Sequence, residues 1–93
     1  MSLSATDRIA LLGRVDDPAF LPWIERHRAR LGLSGGIAAC QAGRIELVVS
    51  GAPDLIDALE LACSLGPAEV LVERTEREPA VDPSPSKPQI ARD

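Results

Sequence analysis

Two adjacent carboxylates, Asp16 and Asp17, stand directly ahead of Pro18 and an apolar pattern with helical spacing. Acids placed there have two chemical uses. They can accept hydrogen bonds from the unpaired N–H groups of a helix start, or they can begin a cation site. Two neighbouring carboxylates without further oxygen ligands make a poor cation site, so the capping reading is preferred and no metal site is assigned. Cys40 and Cys63 are far apart and in no C-x-x-C pairing, which argues against zinc and redox motifs. Both sit in apolar surroundings and read as small buried hydrophobes. His27 lies on the apolar stripe with no partner in sight, so it reads as a satisfied, partly buried histidine rather than a catalyst. Arg26, His27, Arg28 and Arg30 form the only local excess of positive charge, and they read as the solvated side of a helix.

The whole chain sets limits on these residues. Its 93 residues fit one domain near the small end of what can bury a core. Hydrophobic residues make up 45% of it, yet Phe20 and Trp23 are the only aromatics, so the core must be built from Leu, Ile, Val and Ala. A formal charge of −4, from 14 acidic and 10 basic residues, argues against a general nucleic-acid binder, which needs a basic face to displace counterions. Residues 1–7 are short and polar, with no apolar stretch behind a basic start, and no apolar run approaches membrane-spanning length. The expectation is a cytoplasmic protein with no cofactor and no membrane partner, leaving a protein partner or a second copy as the open class.

The elements that must position these residues follow from periodicity. Arg8 to Val15 reads as a first strand, with Ile9 and Leu11 on one face. Phe20, Trp23, Ile24, His27 and Leu31 recur at helical spacing, Pro22 fits the first turn, and Gly32 stands where a C-terminal cap belongs. Gly35 to Gln41 and Arg44 to Ser50 are joined by a turn containing Gly43, the signal of a hairpin. In the second of these runs Ile45, Leu47 and Val49 alternate with Arg44, Glu46 and Ser50, as in a half-buried strand. A second helix starts near Pro53 and stops at Gly66-Pro67, with Leu55, Leu59 and Ala62 expected inward and Asp54, Asp57 and Glu60 outward. Val70 to Glu76 is the last strand. The order β-α-β-β-α-β is that of an α+β, ferredoxin-like sandwich: an antiparallel sheet with both helices on one face. The expected organisation is a flexible segment 1–7, a domain 8–77, and a disordered tail 78–93 in which Pro79, Pro83, Pro85 and Pro88 prevent ladders and helices.

One stretch carries more than pattern. Gly13-Arg14-Val15-Asp16-Asp17-Pro18-Ala19-Phe20-Leu21-Pro22-Trp23 resembles, without a gap, the acylphosphatase signature G-x-V-Q-G-V-x-F-R-P-F. Leu31 to Ile37 is similar to the family's L-G-L-x-G-W-V, Gly43 to Glu46 to its G-x-V-E, and Gly51 to Leu59 falls where its second helix begins. Each motif is weak alone, but their joint spacing over residues 8 to 76 is specific.

The resemblance implies a definite chemistry. In the family, backbone N–H groups at a helix start cradle an acyl phosphate, one arginine grips it, and an asparagine on the following strand positions the attacking water. Catalysis then rests on anion binding and orientation. Carried over residue by residue, the cradle positions are Val15, Asp16, Asp17, Pro18, Ala19, Phe20 and Leu21. Leu21 takes the arginine's place and Ala39 the asparagine's, since Gly36-Ile37-Ala38-Ala39 stands where the family has W-V-R-N. Arg14 is not the phosphate-gripping position. Pro18 lacks an N–H, and a carboxylate ~5 Å from a bound phosphate would repel it by ~3 kcal/mol per unit charge at an effective dielectric near ~20. Losing one preorganised donor costs ~10²–10³ in rate. The resemblance therefore implies no catalytic residues in this chain and an interaction or regulatory role, with a hydrolase of residual or altered acyl phosphate activity as the alternative. Other users of the topology fit less well: RNA-recognition domains need stacking aromatics where the central strands here offer Leu11, Leu12, Leu47 and Val48, and no motif supports a small-ligand sensor of the ACT type.

Overall fold

Alternating apolar residues in two strands set the sheet around which the chain is organised. The structure, a computed structural model, describes residues 4–80. In chain order they form β1 (Ala5–Arg14), α1 (Phe20–Arg30), β2 (Ser34–Gln41), β3 (Arg44–Gly51), α2 (Pro53–Leu65) and β4 (Leu71–Pro79). The four strands make one antiparallel sheet in the order β2-β3-β1-β4, the expected ferredoxin-like arrangement. Ile9 and Leu11 of β1 lie opposite Leu47 and Ile45 of β3, and all four are at most 1% exposed. Phe20 and Ile24 of α1, with Ile56, Leu59 and Cys63 of α2, close the core over that face. Each large apolar side chain so buried stabilises the fold by about 1.5–3 kcal/mol.

The other face of the sheet is covered by long charged side chains. Glu46 accepts from Arg8 at 2.9 Å and from Arg44 at 2.8 Å, while Arg74 pairs with Glu76 at 3.0 Å. Beneath these stems Ala10 and Val48 are only 4% and 7% exposed. The hydrogen bond from Arg44 holds the Glu46 carboxyl below its ordinary range, against the opposing effect of desolvation.

Several boundaries and faces differ from expectation. β1 begins at Ala5, within the segment 1–7 expected to be flexible, because Ala5, Thr6 and Asp7 pair with Gly51, Ser50 and Val49. β4 continues to Pro79, inside the expected tail 78–93, because Glu78 and Pro79 pair with Arg8 and Asp7; the rest of that tail from Val81 lies outside the described residues. On α2 the inward residues are Ile56, Leu59 and Cys63, whereas Leu55 is 38% exposed and Ala62 half-buried. Apolar residues surround this helix on nearly every side, so its periodicity leaves the phase open and only docking on the sheet selects it. Cys40 is exposed instead of buried, since β2 is an edge strand with no strand beyond it.

Candidate functional site

Val15 is 2% exposed and anchors the segment between β1 and α1 in the core, leaving Asp16, Asp17, Pro18 and Ala19 at the surface end. The segment opens at Gly13, where the pairing of β1 with β4 shifts register. Gly13 has φ +138°, and a Cβ there would run into the backbone of Leu71 and Glu73, so no other residue fits this close approach. Its N–H donates to the carbonyl of Gly43 at 3.1 Å. Gly43, at φ +76° in the turn between β2 and β3, returns the contact by donating its own N–H to Asp16 Oδ1 at 3.2 Å. Two hydrogen bonds thus clasp the segment to the hairpin turn.

Asp17 acts within the segment. Its Oδ1 accepts the N–H of Ala19 at 2.8 Å, and its carbonyl accepts that of Phe20 at 3.0 Å. This is an aspartate turn closed two residues on, one step earlier than a cap on the helical N–H groups themselves. Ala19, the N-cap residue of α1, makes no side-chain cap bond. A carboxylate therefore already sits at the positive end of the helix dipole, and Pro18 contributes no N–H there.

Beyond the start of the helix, Phe20 is fully buried and tilts against Trp23 with ring centroids 5.6 Å apart. Leu21 is half-buried against the core cluster. Ala39 is half-buried in β2 opposite Glu46, just after a register shift between Ile37 and Ala39. Glu25 Oε2 accepts the N–H of Ile37 at 3.2 Å, while Arg28 donates to Glu25 Oε1 at 2.8 Å. Because α1 and β2 run in opposite directions, Leu21 and Ala39 lie on the same side of that Glu25–Ile37 bond, toward the Asp16–Gly43 clasp. The fold thus gathers positions 15–21 and 39 at one end.

His27 sits away from this end on α1, its Nδ1 donating to the Trp23 carbonyl at 3.0 Å and its ring tilted 30° against that of Trp23, with centroids 4.0 Å apart. Among the described residues no group of three or more His, Cys, Asp or Glu could hold a metal ion. Sequence reasoning missed two arrangements. The first is Glu25, whose carboxylate occupies the space a Cβ at Gly36 would enter, 2.9 Å from that atom; a glycine where the family has tryptophan was the available signal. The second is Arg77, which donates to Asp7 at 2.8 Å, Asp57 at 2.7 Å and Glu60 at 3.0 Å, tying β4 to β1 and α2. Burial works against its charge, but the hydrogen bonds that it donates to Asp57, Glu60 and Asp7 outweigh that and push its pKa further up. Strand register brings Arg77 beside Asp7, and the docking of α2 on the sheet brings Asp57 and Glu60 to it, so no local pattern announces them.

Among the described residues no helix is long and apolar enough to cross a membrane. No protein-family profile matches the sequence. Individual relatives do. The acylphosphatase of Azorhizobium caulinodans is 32% identical over 74 residues, covering 80% of each chain. That of Halorhodospira halophila is 31% identical over 80 residues, covering 86% of this chain and 87% of its own. An acylphosphatase structure from Coxiella burnetii superposes with a TM-score of 0.77 at 24% identity, over 84% of this chain and 82% of that one, a likeness of fold. With that likeness of fold and identities above 30% over most of both chains, the chain belongs to the acylphosphatase family.

Proposed function

We propose that this family member does not turn over acyl phosphates at a useful rate and serves in the cytoplasm as an interaction or regulatory module. The observation that carries this reading is the Asp17 carboxylate, bonded to the Ala19 N–H at 2.8 Å at the start of α1. A substrate phosphate would need that same electropositive end. It would meet one carboxylate already there and a second, Asp16, held nearby by Gly43. The signature alignment puts Leu21 where the family's arginine stands and Ala39 where its asparagine stands. A leucine makes no charge-assisted bond to phosphate, and an alanine cannot orient water.

A hydrolase of the acylphosphatase type, with residual or altered activity, is the second reading. What favours it is the resemblance itself: relatives more than 30% identical over most of the chain carry the name acylphosphatase. One assay separates the two. Purified protein is incubated with benzoyl phosphate beside buffer alone. The first reading expects the spontaneous rate; hydrolysis well above it, lost on substitution within residues 13–21, establishes the second.

A further inference from the structure

The outer face of α2 is unlike that of α1. Asp54, Asp57, Ala58, Leu61 and Leu65 recur at intervals that place them together on the side opposite Ile56, Leu59 and Cys63, and all five are exposed. Leu61 is 62% and Leu65 74% exposed. Among the described residues every exposed large hydrophobic falls between Leu55 and Leu71. A surface helix ordinarily turns charged and polar residues of both signs outward. Here the outward residues are apolar and acidic, and from Ala52 to Glu73 the sequence holds no lysine, arginine or histidine. The cation that reaches this helix is Arg77 of β4, which Asp57, Glu60 and Asp7 share, three carboxylates to one guanidinium.

We infer that the outer face of α2 is a docking surface for a cationic amphipathic segment of another protein. Leu61 and Leu65 supply the apolar area that a partner's own apolar stripe would cover. Asp54 and Asp57 supply the sign: they attract lysine or arginine flanking that stripe and repel acidic partners. Arg77 fixes Asp57 at 2.7 Å and offsets one charge, but Glu60 and Asp7 share the same guanidinium, so the cluster stays net negative. A second copy is a poorer occupant. Two-fold pairing of α2 with itself would bring two copies of one acidic face together, with no lysine, arginine or histidine from Ala52 to Glu73 to answer that charge. An anionic lipid surface is repelled for the same reason. The face lies on a different helix from the Asp17 turn, so it stands or falls apart from whether the chain hydrolyses acyl phosphates.

The test uses a labelled amphipathic peptide of leucine and lysine about five turns long, with an isomer of scrambled order and a leucine–glutamate counterpart as controls. Backbone amide shifts of the full chain are followed during titration. The expected result is shifts centred on α2 and the first residues of β4, at least ~10-fold weaker binding by both controls, and a ~10-fold loss in the Leu61→Ser/Leu65→Ser variant, worth ~1.4 kcal/mol. Asp54→Asn should weaken binding in the same direction. These side chains are exposed, and an unchanged melting midpoint verifies that the variants fold. Equal affinity of wild type and double variant, or shifts centred elsewhere, overturns the inference. So does a wild-type dimer in sedimentation that the double variant splits, because the face would then belong to a second copy.

Discussion

Asp16 Oδ1 takes the N–H of Gly43 at 3.2 Å, across 27 residues of sequence. The same glycine accepts from Gly13 at 3.1 Å, so the acidic segment before α1 is locked at two points to the turn between β2 and β3. Asp17 closes the next turn on Ala19. The two carboxylates have separate duties, one holding the segment to its neighbour and the other shaping its path into the helix.

Replacing Asp17 removes an acceptor from the Ala19 N–H at the helix start. Asp17→Ala should cost about 1 kcal/mol of stability, the net worth of one such hydrogen bond, lowering the thermal midpoint by about 4–8 °C for a domain of this size. Thermal unfolding followed by circular dichroism reads this directly. An unchanged midpoint would show that the turn does not need its side chain.

Restoring the two family side chains alone should not restore phosphate binding. In Leu21→Arg/Ala39→Asn the new guanidinium would stand near Asp16 and Asp17, which compete with phosphate at high effective concentration, and Pro18 still withholds a donor. Adding Asp16→Gln, Asp17→Gly and Pro18→Val should tighten inorganic phosphate binding at least ~10-fold over the double variant, ~1.4 kcal/mol. Calorimetric titration of both variants measures the ratio. Equal affinities would mean that the acidic segment does not close the site.

The two cysteines should react very differently. Cys40 is exposed, whereas Cys63 is buried, and burial together with the nearby Glu60 pushes its thiol pKa up to about 12. The thiolate is the reactive form, so at neutral pH Cys63 is both covered and protonated. A chromogenic disulfide reagent should consume one thiol rapidly in the native protein and both in denaturant. Fast reaction of both thiols in the native protein would contradict this packing of α2.

The phase of α2 can be read from two adjacent residues. Ile56 is fully buried and Leu55 38% exposed. Ile56→Ala should therefore cost about 2–5 kcal/mol, and Leu55→Ala within about 1 kcal/mol, by urea denaturation. Reversal of that order would restore the inward set first expected from periodicity.

Ile9, Leu11, Ile45, Leu47 and Val49 declare by their own alternation which face of each central strand is buried, because a strand's side chains can point only two ways. Pro22, Gly32, Pro53 and Gly66 mark the helix ends through backbone preferences that need no neighbour. The phase of α2 was not legible, since apolar side chains on most of its faces leave nearly equal alternatives until the helix meets the sheet. Nor were the bonds of Asp16 to Gly43, of Glu25 to Ile37, and of Arg77 to Asp7, Asp57 and Glu60. Each joins residues from different elements, and a hydrogen bond forms at about 3 Å whatever the separation along the chain. Strand register and helix docking determine those distances, and they exist only once the core has formed.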